Sequence, residues 1–158
     1  RNVAQRWCVQ VNYRLHGKDY YAVGFGNNAH GYELRNRFWK GAFPPKNITC
    51  IRRGNPRSNV FEGFIDFLSA ERLGLNDGTD IVVLNSVANL AKAKPFLNGY
   101  DRILCYLDND VAGRSALASL RREYAEKVID KSAMYPEHKD LNDYLVASCR
   151  KVTIKHRL

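Results

Sequence analysis

The chain has 158 residues, of which 45% are hydrophobic and 26% are charged, and its formal net charge is +9. This apolar content excludes a disordered tail, because it is enough to build a folded core. No apolar run approaches the roughly 20 residues that cross a bilayer, and no secretory signal pattern is present, so we expect no membrane partner. Because the sequence begins with Arg1 and not with Met, we expect a fragment or a processed product.

The cysteines are far apart in the sequence, at Cys8, Cys50, Cys105 and Cys149. There is no C-x-x-C motif, and no histidine pair lies at ligand spacing. This usage favours reduced thiols and argues against a zinc site, and it argues only weakly against disulfides. We therefore expect a cytoplasmic protein.

The positive charge is concentrated in the first third of the chain. Residues 1–57 contain 11 Lys and Arg but 2 Asp and Glu, whereas residues 58–158 contain 14 of each. An excess on one side of the sequence favours a polyanionic partner over an ordinary solvated basic surface.

Residues 1–56 are predicted to form a small basic α+β subdomain dominated by antiparallel strands. Val3, Trp7 and Val11 are spaced by four, which indicates a short helix within residues 2–13. The "HGKD" turn then leads into a strand, and further strands are predicted at residues 31–43 and 47–53. The stretch "RGNPRSN" marks the end of this unit.

From residue 57 to residue 149 strands and helices alternate, and the strands are almost wholly apolar. This rhythm predicts parallel strands that are buried on both faces by helices. The predicted strands are residues 58–62, 79–85, 101–108 and 128–134, and the predicted helices are residues 63–74, 87–97, 112–127 and 140–149. The helix 112–127 is expected to be the longest, and residues 150–158 are taken as a C-terminal tail.

Acidic residues follow two of these strands. Glu62 ends the first strand of the alternating unit, and Asp108 and Asp110 end the third. If the two strands are neighbours, the three carboxylates meet at one crevice, because ligands bind beyond the carboxyl ends of parallel strands. Carboxylates that repel one another suit a divalent cation such as Mg²⁺. The alternative is that Asp110 caps the next helix, which leaves Asp108 and Glu62 unexplained.

Four stretches carry a family resemblance. "VFEGFIDFLSA" and "LDNDVAGRSAL" resemble the two Toprim motifs, and "HKDLNDYL" resembles the stretch that follows them in bacterial replicative primases. "AVGFGNNAHGYELRN" is similar to the primase-core segment before the Toprim domain. Over about residues 5–147 the chain resembles the CHC2 zinc-finger/Toprim primases of mobile elements, in motif order and spacing.

The resemblance implies a fold and an organisation into domains. It implies a Toprim-type, Rossmann-like parallel sheet with helices on both faces, preceded by the basic primase-core subdomain. The expected divisions are residues 1–56 for the subdomain, residues 57–149 for the Toprim domain and residues 150–158 for the tail.

The resemblance also assigns roles to the acids. Glu62 matches the glutamate that ligates metal or acts as general base, and Asp108 and Asp110 match the Mg²⁺-binding pair. Asp66 and Asp140 match further acids of the family's site. Asn142 departs from the pattern, because a second aspartate is usual there.

The function implied is primer synthesis on a single-stranded DNA template from nucleoside triphosphates, with Mg²⁺ or Mn²⁺ as cofactor and a helicase or relaxase as partner. A second hypothesis is a Toprim nuclease or phosphohydrolase that uses the same acids on water. A third is a non-catalytic DNA-binding module of a mobile element.

Basic residues are the candidates for nucleic-acid binding. If residues 31–43 form one strand, Arg35 and Arg37 share a face and Phe38 lies on the other. That arrangement suits contact with a phosphate backbone, and Trp39 is a candidate for base stacking. The full predicted set is Arg35, Arg37, Lys40, Lys46, Arg52 and Arg53. Arg114, at the start of the long helix, is a candidate phosphate ligand, and a surface arginine is an equal alternative.

Overall fold

A computed structural model describes residues 2–155, and within that range the chain forms two β-sheets with α-helices packed on the second. The elements are α1 (Val3–Trp7), β1 (Val9–Leu15), β2 (Lys18–Gly26), β3 (Tyr32–Arg35), β4 (Lys40–Phe43), β5 (Thr49–Ile51), β6 (Arg57–Phe61), α2 (Phe64–Leu73), β7 (Asp80–Val83), α3 (Leu90–Leu97), β8 (Arg102–Tyr106), α4 (Val111–Tyr124), β9 (Val128–Asp130) and α5 (Leu141–Lys155). Short 3₁₀ turns occupy Val87–Asn89, Ala125–Lys127 and Ser132–Met134.

The first sheet is an antiparallel meander in the order β1-β2-β3-β4. The β1–β2 hairpin turns at His16 and Gly17, whose φ angles of 49° and 76° are both positive, as a tight two-residue hairpin turn requires. The helix predicted within residues 2–13 ends at Trp7, and Val9–Leu15 pairs along its whole length with β2. The prediction was wrong there because Val9, Val11 and Tyr13 also follow a period of two.

The single strand predicted at residues 31–43 is in fact two strands, β3 and β4. They are joined by a turn in which the Asn36 side chain accepts hydrogen bonds from the backbone N–H groups of Phe38 and Trp39, each at 2.9 Å. Such an Asx-type turn interrupts the strand. Arg37 and Phe38 therefore lie in the turn, and the predicted shared face for Arg35 and Arg37 is wrong.

The second sheet has the order β5-β7-β6-β8-β9, in which β6, β7, β8 and β9 are parallel and β5 is antiparallel to β7. Helices α2 and α5 contribute to the apolar cluster on one face, and α3 and α4 contribute to the cluster on the other. The predicted α/β fold with a helix-covered parallel sheet is confirmed. Strand β5 precedes residue 56 yet belongs to this sheet, and the division at residue 56 stays a prediction.

The helices of the second unit agree with their predicted positions, with two differences at the C-terminal end. Helix α2 ends at Leu73, and its C-cap is Gly74, whose φ of 72° is in the left-handed region that glycine adopts easily. Helix α5, with 15 residues, is longer than α4, with 14, so the prediction of the longest helix was wrong. Helix α5 continues to Lys155 through most of the predicted tail, and residues 156–158 lie outside the described residues. No helix within residues 2–155 combines the length and the apolar character that crossing a bilayer requires.

The two sheets are joined through Phe25 of β2. This side chain is 2% exposed, and its ring stacks on Phe64 and contacts Phe67, both from α2, at centroid distances of 5.3 and 5.5 Å. The contact buries an aromatic group that would otherwise face water, a favourable term of about 2 kcal/mol. It places one face of the first sheet over the N-terminal end of α2.

A buried carboxylate attaches the segment before β6 to the second sheet. Asp80 accepts hydrogen bonds from the backbone N–H groups of Arg53 and Asn55, at 2.8 and 3.0 Å, and from the Tyr100 hydroxyl at 2.8 Å. Burial favours the neutral acid, but these donors outweigh it and hold the pKa of Asp80 below its ordinary value.

We expect Asp80→Asn to lower the free energy of unfolding at pH 7 by about 1–3 kcal/mol, because an amide cannot accept all three bonds. The folded pKa is depressed, so the contribution of Asp80 is present above its unfolded pKa of 3.8 and is lost as the pH falls through the folded value. Urea unfolding at pH 7 and pH 3 measures this difference. The exposed Asp77→Asn is the control, and equal stability of Asp80→Asn and the native chain at pH 7 would contradict the assignment.

Candidate functional site

A crevice of about 410 Å³ opens at the carboxyl ends of β6 and β8. The two strands are parallel neighbours and pair Phe61 with Tyr106, so the residues that follow emerge at the same edge of the sheet. The charged residues that line the crevice are Glu62, Asp66, Asp108 and Asp140 from the second unit and Glu33, Arg35, Lys40 and Lys46 from the first. Four of the five acids predicted to bind metal thus meet there, and Asp110 is not among the lining residues.

Glu62 keeps one carboxylate oxygen without a hydrogen-bond donor, although the Asp108 backbone and the charge of Lys139 partly compensate its side chain. Its Oε2 atom is buried and has no hydrogen-bond partner. Burial, followed by the negative charges of Asp108 and Asp110, raises the pKa of Glu62 to about 7. A buried carboxylate oxygen without a donor is chemically suited to a cation.

Asp66 lies in the first turn of α2 and connects it to the start of α5. Its Oδ1 atom accepts a hydrogen bond of 3.1 Å from the backbone N–H of Asn142. Burial, and then the charges of Asp140 and Asp108, raise the pKa of Asp66 to about 7. Asn142, the position at which the sequence departs from the resemblance, thus contacts the site through its backbone N–H.

Asp108 and Asp110 differ in their surroundings. Asp110 is the N-cap of α4 and accepts a 3.0 Å hydrogen bond from the Gly113 N–H, so the helix-cap alternative is confirmed for this residue. Asp108 caps nothing; burial raises its pKa, and the hydrogen bond from Lys139 opposes that rise. The Lys139 Nζ atom lies 3.2 Å from Asp108 Oδ2 and 3.8 Å from Asp110 Oδ2.

The arrangement of the acids decides whether their side chains already form a metal-binding set. Within residues 2–155, no three His, Cys, Asp or Glu side chains are arranged as a set that could hold a metal ion. The donor chemistry nevertheless fits Mg²⁺ or Mn²⁺, because all the groups are carboxylate oxygens and that of Glu62 is buried and unpaired.

The structure gives a geometric reason for glycine at position 113, which the sequence motif alone does not explain. A Cβ atom at this position would lie 2.2 Å from the carbonyl oxygen of Asp108 and 2.9 Å from its nitrogen. Only glycine lets the first turn of α4 pass so close to the strand end that carries Asp108.

Two residues of the site were not assigned from the sequence. Asn109 donates from its backbone N–H to the carbonyl of Lys139 at 2.7 Å, and from its side chain to the carbonyls of Tyr135 and His138 at 3.1 and 3.0 Å. Lys139 lies in the stretch "HKDLNDYL", and Asn109 is the middle residue of the Asp-x-Asp motif. Their motif positions were the available signal, but the contacts depend on the fold of the loop at residues 135–139.

The predicted basic residues divide into two groups. Arg35, Lys40 and Lys46 line the crevice. The other three, Arg37, Arg52 and Arg53, make contacts elsewhere. The Arg37 guanidinium lies over the Phe38 ring, and the Arg52 guanidinium lies over the Phe96 ring. The Arg53 guanidinium donates to the carbonyls of Asn76 and Thr79. Arg53 therefore has a structural role.

Three further predicted residues lie outside the crevice. Phe38 and Trp39 are 88% and 46% exposed, so they are not core residues. Arg114, in the first turn of α4, donates to the carbonyl of Asn109 at 3.2 Å.

The fold and the site together define a class: a Rossmann-like α/β domain whose acidic crevice lies where parallel strands end. Residues 59–145 match the family model described as Toprim-like, which is more than half of the chain. The chain belongs to the Toprim-like family. Residues 1–44 match a domain of unknown function, DUF8464, and no curated protein matches the chain.

Solved structures of similar shape come from bacteriophage T7. The primase fragment of the T7 primase-helicase protein superposes with a TM-score of 0.65 at 17% identity, covering 94% of this chain and 66% of that one. A complex of the T7 lagging-strand DNA polymerase with primase domains bound to an RNA/DNA hybrid and dTTP gives the same score and identity, with coverages of 96% and 83%. The predicted Toprim fold of primase type is thereby confirmed.

In metal-free protein at pH 8, we expect Glu62→Gln to raise the free energy of unfolding by about 1–2 kcal/mol, a value reduced for partial solvent screening. The variant removes a charge that burial and two aspartates disfavour. Because the folded pKa of about 7 exceeds the unfolded value of 4.5, the native chain loses stability as the pH rises between these values. The gain from the variant is therefore largest above pH 7 and disappears below pH 4.5.

Urea unfolding in the presence of EDTA at several pH values measures this gain. The exposed Glu126→Gln serves as the control and should change stability by less than about 0.5 kcal/mol. A gain that grows on acidification, or no gain at pH 8, would contradict the described environment of Glu62.

Proposed function

We propose that this chain is the catalytic-core part of a primase-like nucleotidyltransferase, which makes primers on single-stranded DNA with a divalent metal. The observation that carries the proposal is the meeting, in one crevice, of four carboxylates from the second unit and three cationic side chains from the first. Nucleotidyl transfer needs both, because acids hold the cation while basic groups bind the phosphates of template and nucleotide.

The acids would hold the cofactor. Glu62, Asp108 and Asp110 are the candidates to bind Mg²⁺ or Mn²⁺, with Asp66 and Asp140 beside them. When bound, such an ion supplies Lewis-acid stabilisation of the charge on the phosphates.

The protein's own side chains would accept the proton and position the substrates. Glu62, with a pKa of about 7 and an unpaired oxygen, is suited to accept the proton of the attacking sugar hydroxyl. In that reaction an oxygen–phosphorus bond forms at the α-phosphate as pyrophosphate leaves. Arg35, Lys40 and Lys46 would position the anionic strand and the triphosphate on the opposite wall.

We infer the substrates from the resemblance of the sequence to primases and from the similar T7 structures. The T7 primase domains are described as bound to an RNA/DNA hybrid and dTTP. We infer for this chain a single-stranded DNA template and nucleoside triphosphates. A helicase or relaxase partner, an origin in a mobile element and a cytoplasmic location belong to the same proposal, which extends to the whole protein.

We expect calorimetric titration to show Mn²⁺ binding by the native chain in the micromolar to millimolar range of oxygen-ligand sites. Asp108→Asn/Asp110→Asn should weaken this binding at least about tenfold, because two anionic ligands are lost. The matched control is Asp101→Asn, which removes an exposed carboxylate outside the crevice. Equal binding by the native chain and the double variant would remove these residues from the proposed metal site.

We expect Lys40→Gln/Lys46→Gln to weaken binding of a labelled oligo(dT) and to reduce the salt dependence of its affinity. Each lost phosphate contact should lower the slope of log K against log salt by about 0.7. Fluorescence anisotropy at several salt concentrations measures both effects. The control Lys18→Gln/Lys127→Gln removes the same net charge outside the crevice, and an equal effect of both variants would indicate general charge attraction.

A further inference from the structure

A positive group of the protein itself lies between two of the proposed metal ligands. Lys139 Nζ contacts Asp108 and Asp110 at 3.2 and 3.8 Å. Among residues 2–150, whose side chains the structure describes, no other Lys, Arg or His side chain forms an ion pair with either aspartate. The ammonium therefore compensates part of the negative charge of this pair.

The loop that carries Lys139 is attached to the strand end by four hydrogen bonds. Three come from Asn109, the residue between the two aspartates, and they reach the carbonyls of Tyr135, His138 and Lys139. The fourth runs from the Tyr135 hydroxyl to the carbonyl of Leu107 at 3.0 Å, and Tyr135 is 1% exposed. The backbone of Lys139 is thus held against the acids by half-buried Asn109 and buried Tyr135, so the ion pair is a consequence of the fold.

The Lys139 side chain, unlike its backbone, can move away from the two aspartates. It is 58% exposed, whereas the side chain of Asp108 is 11% exposed. The ammonium is joined to the backbone by a flexible four-carbon stem, which can turn toward solvent while the loop stays in place. A partly buried acid is thus paired with an exposed and movable cation.

We propose that Lys139 is a tethered counter-ion that a divalent cation must displace from between Asp108 and Asp110, and that it therefore sets the metal affinity of the site. This inference rests on the proposed function, in which the two aspartates bind a divalent metal. An ammonium and a metal ion cannot occupy the same few ångströms, and like charges at that distance repel strongly at the low effective dielectric of a partly buried site. The class of ligand that Lys139 excludes is a divalent cation, and the probe is Mn²⁺ alone.

The test is calorimetric Mn²⁺ titration of the native chain, Lys139→Gln, Lys139→Arg and Asp108→Asn/Asp110→Asn. Lys139→Gln should bind Mn²⁺ about three- to tenfold more tightly than the native chain, because its competitor is gone. Lys139→Arg keeps the charge and should stay within about twofold of the native affinity. Lys131→Gln removes the same charge from a residue that forms no ion pair with either aspartate, and it should leave the affinity unchanged.

Thermal unfolding in EDTA provides a second measurement that does not depend on metal. Lys139→Gln should lower the melting temperature in EDTA, and in a separate sample without EDTA saturating Mn²⁺ should restore it. In the Asp108→Asn/Asp110→Asn background the same substitution should have no effect, since no charges remain to be compensated.

The outcomes separate the two proposals. If the native chain binds Mn²⁺ and Lys139→Gln binds it equally or more weakly, the counter-ion role is overturned while the metal site stands. If neither binds Mn²⁺, the metal site of the proposed function is overturned, and the counter-ion role with it. Binding by Lys139→Gln alone would support the inference in its strongest form.

Discussion

Parallel pairing of β6 with β8 is the constraint on which the candidate site depends. The pairing sets Phe61 beside Tyr106, so Glu62 and Asp108 leave the sheet at the same edge. Because the sheet is covered by helices on both faces, charged groups are disfavoured in the middle of its strands and lie at the strand termini. The two helices that follow must begin there too, and the absence of a side chain at Gly113 lets α4 start against the backbone of Asp108.

The fold compensates these carboxylates to different degrees. One oxygen of Asp110 receives the N–H of Gly113, and one oxygen of Asp66 receives the N–H of Asn142. Asp108 has the ammonium of Lys139, and Glu62 has a buried oxygen with no donor. A buried polar atom without a partner costs stability. At Glu62 the unpaired oxygen is a carboxylate oxygen next to other acids, which fits the metal-binding role proposed for this residue.

The sequence predicted most of the second unit and little of the first. Segments such as "IVV" in β7 and "ILCY" in β8 are apolar throughout, which a helix-covered sheet explains, and Gly74 predicted the end of α2. In the first sheet, Val9–Leu15 satisfied both helical and strand periods, so only pairing with β2 decided its structure. The membership of β5 in the second sheet is a long-range pairing that no local pattern carries. Likewise, the acids were identified by motif, but the position of Lys139 depends on the loop held by Asn109.

The acidic and basic halves of the crevice are physically interdependent. A polyanion would be repelled by the acids alone, and the cationic wall of Arg35, Lys40 and Lys46 supplies the opposing attraction. The packing of Phe25 helps to hold that wall in place, because Phe25 lies against α2, the helix that begins directly after Gly63. This apolar contact thus links the residues proposed to bind phosphates to the residue proposed to bind a cation. Loosening this contact would separate the two halves without altering a charged residue, which is why the packing of the first sheet belongs to the chemistry of the site.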